Sequence, residues 1–292
     1  MSIHPDTPLP DAPERMQCME VWGGNHATRQ NLETPGLRIW LYSQPIASSE
    51  SGGDVHYISS CASGRITRML LADVSGHGQT VSKLALGLRD LMRKNVNVIQ
   101  QTRLVRAMNR QFAELSQLGV FATAVVVSFF QPTRRLAICN AGHTLPLLYQ
   151  ASTGMWSVID GPTSQRQSVE GIPLGIDDLA NYLDVQTIFD KGDMLLCYSD
   201  ALSESVRADG VQLGTQGLLS LVSSLDASVP NRLLDSLQRA IKALNPNNLC
   251  DDDVTMLLIE ANGTGTPIRE TLLAPFRLLG SVKDKTRFTE ET

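Results

Sequence analysis

The chain of 292 residues is 42% apolar and 19% charged, a composition that suits a large buried core and excludes a disordered or collagen-like polymer. Its 25 basic and 30 acidic side chains leave a net charge of −5 without a Lys/Arg cluster, which argues against a nucleic-acid partner. Its five scattered cysteines lack CxxC spacing, which points away from zinc and disulfides. No apolar run reaches the ~20 residues that a membrane span requires, so the expected setting is cytoplasmic, with reduced thiols and no membrane association.

Residues 1–16 carry Pro5, Pro8, Pro10 and Pro13 and predict an extended lead-in. Residues 16–36, where Trp22 precedes Gly23-Gly24-Asn25, predict a loop or capping arm, so 1–36 reads as an amino-terminal extension or docking arm. Alternating apolar residues predict strands over 37–44, 54–61 and 66–73. A hairpin turn at Ala62-Ser63-Gly64 brings Asp54 and Asp73 into one neighbourhood of a sheet. Leu84, Leu88 and Leu91 predict an amphipathic helix over 81–98, and Leu104, Met108, Phe112 and Leu115 a second over 102–118. Short β-rich runs at 121–130, 136–140 and 145–149 predict an antiparallel meander, followed by strands over 155–160 and 183–189. An apolar strand over 194–198 ends at Ser199-Asp200. Helices over 214–225 and 231–244 precede a final strand over 256–260, and 263–292 reads as a tail with at most one short helix.

Four acidic positions stand at the starts or ends of predicted strands: Asp54, Asp73, Asp200 and the run Asp251, Asp252 and Asp253. If these strands lie side by side, the carboxylates meet on one rim of a sheet. Ligands that are all oxygen suit Mg²⁺ or Mn²⁺ and not zinc. Paired divalent ions clamp a phosphoryl group and activate water, so the chemistry suggested is phosphoester hydrolysis. Any single one of these aspartates is more commonly a turn former or helix cap, and Asp193, Asp226 and Asp235 read as surface residues. His77 and His143 lie in glycine-flanked turns, where a loop hydrogen bond is as natural as a general-acid role.

In order, Gly52-Gly53-Asp54, Asp73-Val74-Ser75-Gly76-His77-Gly78, Asn140-Ala141-Gly142-His143, Gly171-Ile172-Pro173-Leu174-Gly175, Tyr198-Ser199-Asp200 and Asp252-Asp253-Val254-Thr255 match a known pattern. Together they resemble the PPM family of metal-dependent serine/threonine protein phosphatases, in its bacterial SpoIIE-like branch. The resemblance covers about residues 37–262, leaving 1–36 and a tail at 263–292 outside. It implies an α+β fold, a four-layer αββα sandwich of two antiparallel sheets flanked by helices, with two Mn²⁺ or Mg²⁺ ions at one end. By the same resemblance Asp73 would bridge both ions and the Val74 carbonyl would add a ligand. Asp200 and Asp252 would complete one ion's site, and Asp54 would serve the other. Asp73 and Asp54 would thus carry the catalysis by metal-activated water. Asp252 is preferred to Asp253 because the family's ligand stands three residues before a hydroxyl residue, here Thr255. The resemblance further implies a phosphoserine or phosphothreonine protein substrate, such as an anti-sigma-factor antagonist. It makes the helix after Asp73 a candidate regulatory and homodimer element, although an ordinary packing helix is as natural. Two positions depart from the pattern: His56-Tyr57 stands where a Tyr-Asp pair is usual, and Ala201 where glycine is usual. The competing readings are an inactive phosphatase-fold module in partner switching and a hydrolase of small phosphoesters.

Overall fold

The structure is a computed structural model that describes residues 9–10, 12–16, 20–46, 49–61, 64–116, 119–160, 171–265 and 283–284. The predicted turn residues Ala62 and Ser63, the start of the lead-in at 1–8, and most of the tail lie outside the described residues. Strands β1 (Glu14–Arg15), β2 (Glu20–His26), β3 (Thr28–Thr34), β4 (Leu37–Gln44), β5 (Ser51–Cys61), β6 (Ile66–Val74) and β7 (Ala122–Phe130) come first along the chain. They are followed by β8 (Arg135–Ala141), β9 (Leu147–Gln150), β10 (Met155–Val158), β11 (Asp184–Ile188), β12 (Met194–Tyr198), β13 (Val254–Ala261) and β14 (Lys283–Asp284). The helices are α1 (Gln79–Lys94), α2 (Gln101–Leu115), α3 (Asp200–Glu204), α4 (Gly214–Ser223) and α5 (Pro230–Leu244).

β5 and β6 bury almost every side chain, so both faces of their sheet must be covered. Alternate residues serve the two sides. Val55, Tyr57, Leu70, Ala72 and Val74 pack with Leu88, Met92, Leu104 and Phe112 of α1 and α2, whereas Ile58, Met69 and Leu71 meet residues of a second sheet. One sheet runs β1-β3-β4-β13-β12-β9-β10 and the other β11-β8-β7-β6-β5-β2-β14. Apart from the parallel outer pairs β1 with β3 and β14 with β2, the pairings are antiparallel. Leu218, Leu233, Leu237 and Ile241 of α4 and α5 cover the first sheet through Trp40, Tyr198 and Met256. The order of layers is helix, sheet, sheet, helix, the α+β architecture that the motifs imply.

The loop expected within 16–36 is not what the structure shows: Glu20–His26 and Thr28–Thr34 are strands β2 and β3, which belong to different sheets and are joined through the single residue Ala27. β2 pairs with β5, and Arg29 of β3 bonds Asp235 of α5 at 3.1 Å while lying over the Tyr42 ring. Gly23 signals close approach: a Cβ there would stand 2.6 Å from the His56 carbonyl of β5. The predicted meander is also split, because β7 and β8 pair in one sheet while β9 crosses to the other. Asp193 is buried, its carboxylate accepting bonds from the Ala151 and Asp190 amides. Beyond the expected tail boundary, β14 lies along β2, where Asp284 pairs with Arg89 and, at 3.3 Å, with Arg93 on α1.

Candidate metal centre

Both sheets deliver acidic residues to the same end of the sandwich. The β5–β6 register sets Asp54 directly opposite Asp73, and Asp73 in turn faces Thr123 of β7. From the other sheet, β12 runs into Ser199 and Asp200, while Asp252 and Asp253 precede β13. Ser199 couples those two strand ends, since its hydroxyl donates to the Asp253 carbonyl at 3.2 Å and accepts the Thr255 amide at 2.9 Å. After Asp73 the chain turns through Gly76 and Gly78, at φ 103° and 94°, a region that side-chain-bearing residues rarely occupy.

Burial grades across this rim. Asp54 is 4% exposed, Asp73 and Asp200 are half-buried, and Asp252 is exposed. Burial, followed by the charges of Asp73, Asp253 and Asp200, pushes the Asp54 carboxyl well above its ordinary range, against an opposing hydrogen bond from Thr255. Burial together with Asp200, Asp252 and Asp253 pushes Asp73 up to about 7. Asp200 is raised by burial and then Glu204, and Asp252 by burial, partly offset by a bond from the Asp253 amide. Like charges at close quarters favour the protonated form unless a cation joins them.

Asp253 stands apart in its surroundings. Its Oδ1 accepts the Ile46 amide at 2.8 Å, and its Oδ2 accepts the amides of Gly53 at 2.6 Å and Asp54 at 3.2 Å. A carboxylate engaged by three backbone N–H groups anchors the start of β5 to the start of β13. The same packing explains Gly52, where a Cβ would lie 2.0 Å from Asp253 Oδ2. Asp253 is therefore a structural clamp that nothing in the run of three aspartates distinguishes from its neighbours.

The residues present fit a hard divalent cation in kind. Among the described residues, no three His, Cys, Asp or Glu side chains stand close enough together to hold an ion as they are placed. The donors are nevertheless all oxygen, and Asp54 Oδ2 is buried without a hydrogen-bond partner among the described residues. At Gly53 a Cβ would sit 3.2 Å from Asp73 Oδ1 and 3.1 Å from the Val74 carbonyl, so the glycine keeps those two oxygens uncrowded. His143 belongs to the loop: its Nδ1 and the Thr123 hydroxyl are 2.8 Å apart, and its amide donates to Asn140 Oδ1. Burial lowers its imidazole to about 4, which leaves it neutral near pH 7. His77 is exposed in the turn after Asp73.

A family model described as Stage II sporulation protein E (SpoIIE) matches residues 63–262. Among curated proteins no match is found. The fold is similar to that of the RsbU and RsbW domains of Rv1364c from Mycobacterium tuberculosis, at 24% identity and a TM-score of 0.64, covering 82% of this chain and 63% of that one. It is also similar to the PP2C phosphatase domain and regulatory fragment of SpoIIE from Bacillus subtilis, at 14% identity and a TM-score of 0.61, covering 84% and 64% respectively. The SiaA-PP2C domain of Pseudomonas aeruginosa, at 14% identity, gives a TM-score of 0.62 over 76% of this chain and 84% of that one. This chain thus spans less than two thirds of the first and second of these structures, and the likeness at such identities is one of fold.

Proposed function

Because the chain belongs to the SpoIIE family of bacterial PP2C-type serine phosphatases, we propose that it hydrolyses phosphoserine or phosphothreonine on a signalling protein in a metal-dependent reaction. The observation that carries this reading is the register of Asp54 against Asp73 within reach of the charges of Asp200 and Asp252. Such a set of repelling carboxylates has no structural use without a cation to join it. Asp73, Asp54, Asp200, Asp252 and the Val74 carbonyl would hold two Mn²⁺ or Mg²⁺ ions. When bound, these ions supply positive charge that polarises the phosphoryl group and lowers the pKa of a water. Asp73, opposite Asp54 on its own sheet and within reach of the charges of Asp200 and Asp252 from the other, would hold the centre together. Asp253 keeps Asp54 in place through the backbone of β5. His143, neutral and tied to Thr123, stabilises the neighbouring loop and is not the proton donor.

The partner-switching setting of this family makes a phosphorylated anti-sigma-factor antagonist the proposed substrate. The test is Mn²⁺-dependent release of phosphate from a phosphoserine peptide, measured beside an Asp73→Asn variant and an EDTA control. Activity that requires the metal and vanishes in the variant supports the phosphatase. A folded protein that neither binds Mn²⁺ nor releases phosphate would instead be a binding module that retains the fold.

A further inference from the structure

Asn25 belongs to none of the sequence motifs and lies outside the matched residues 63–262. It sits in β2 where the pairing with β5 shifts register between Gly24 and His26, and it is 1% exposed. Its side-chain nitrogen donates to the Gly52 carbonyl at 2.9 Å, the Ser82 carbonyl at 3.1 Å and the Ser82 hydroxyl at 2.8 Å. Ser82 Oγ in turn lies 2.7 Å from Ser51 Oγ. Two of the three acceptors are carbonyls, which fixes the orientation of the amide: only its nitrogen can face them.

One amide thus joins β2, the first turn of α1 and the start of β5, beside the pair Asp54 and Asp73. The junction is tightly packed, since a Cβ on Gly53 would stand 3.3 Å from Val81 of α1 as well as 3.2 Å from Asp73 Oδ1. Asp253 ties the Gly53 and Asp54 amides to the first sheet, and Asn25 ties the adjoining Gly52 to α1. The Gly52–Asp54 turn is therefore held from both sides. α1 follows Asp73 after the Gly76–Gly78 turn, so the Asn25 amide links the segment that leaves Asp73 to the turn that enters Asp54.

We propose that Asn25 is a positioning residue for the metal centre, fixing Asp54 against Asp73 by locking α1 to the Gly52 carbonyl. This inference rests on the phosphatase reading above. Its test uses the full chain with Asn25→Ala, Asn25→Asp and Ser82→Ala, each kept well below its melting temperature. Mn²⁺ affinity is measured by titration calorimetry, and kcat and KM for p-nitrophenyl phosphate are measured at saturating Mn²⁺. Removing the support of a ligand weakens metal binding by about tenfold or more, so the Mn²⁺ Kd is expected to rise by that factor in Asn25→Ala. It should rise further in Asn25→Asp, which sets an oxygen against two carbonyls. KM should stay unchanged, saturating Mn²⁺ should return most of kcat to Asn25→Ala, and Ser82→Ala, which keeps both carbonyl bonds, should bind nearly as the parent does.

Unchanged Mn²⁺ affinity in both Asn25 variants, with the loss confined to melting temperature, would overturn the proposal and leave Asn25 a stability residue. If those variants do not fold, Asn25→Ser is measured instead: a single hydroxyl hydrogen cannot serve both the Gly52 and Ser82 carbonyls, and parental Mn²⁺ affinity there overturns the proposal equally. A parent protein that neither binds Mn²⁺ nor cleaves the phosphoester sinks the phosphatase reading itself, an outcome distinct from both.

Discussion

Asp252 and Asp253 are adjacent and chemically identical, yet the first is exposed on the rim and the second grips three backbone amides. Charge-assisted bonds are worth roughly 1.5–3 kcal/mol each, so Asp253→Asn should lose about 3 kcal/mol or more in urea unfolding with EDTA present. Asp252→Asn should lose no more than about 0.5 kcal/mol there, while its Mn²⁺ affinity in calorimetry falls at least about tenfold. The opposite pattern would exchange their roles. His56 supplies a pH signature. It is 2% exposed, and burial, then the charges of Arg89 and His26, lower its imidazole to about 3. The unfolded chain takes up this proton near pH 6.5 and the folded one does not, so the stability is complete above 6.5 and is lost as pH falls toward 3. Between pH 7 and 4 the parent should lose about 3 kcal/mol relative to His56→Gln in denaturant titrations. The raised carboxylate of Asp73 acts with the opposite sign, its repulsion growing as pH climbs through about 7, but it is common to both proteins and cancels. Sequence reasoning reached the pairing of Asp54 with Asp73 because strand alternation and a short turn fix a hairpin register. It could not separate Asp253 from Asp252, since what distinguishes them is amides on strands some 200 residues away.

The start of β5 shows how an element can depend on the absence of a side chain. A methyl group at Gly52 would collide with the Asp253 carboxylate, whereas a Cβ at Gly24 meets nothing within 4 Å. Gly52→Ala should therefore destabilise the protein by about 1–3 kcal/mol and weaken Mn²⁺ binding together, and Gly24→Ala should do neither, as thermal melts and calorimetry will register. Helices α2 and α5 were legible because each buries a regular apolar face, and β12 because its buried residues form a continuous apolar run. β2 was not. Gly23-Gly24-Asn25 has the composition of a turn, and what makes it a strand is the fit of its bare backbone against His56 and of Asn25 against α1.

At the scale of the whole molecule, the β2–β3 segment gives one strand to each sheet and so stitches the sandwich across its width. Removing residues 1–36 would open the β4 edge of one sheet and the β5 edge of the other, both lined by unpaired backbone groups. The truncated protein is expected to aggregate or to lose cooperative unfolding, which size-exclusion chromatography and circular dichroism melts will detect. Retention of a monodisperse, cooperatively melting product would show that the stitch is dispensable. The layered architecture was legible from ordered motifs. The boundary was not, because motifs mark the chemistry of the rim and are silent about the strands that close the sheets. Finally, β4 pairs along its whole length with β13, made from the other end of the chain. While a ribosome is still extending α5, β4 lacks this neighbour and Gly53 lacks Asp253. Pairing across such a loop is slow and leaves the unpaired edge open to aggregation in the meantime. The acidic rim is thus completed only late in synthesis, and a nascent chain stalled before Asp253 offers chaperones a long apolar strand.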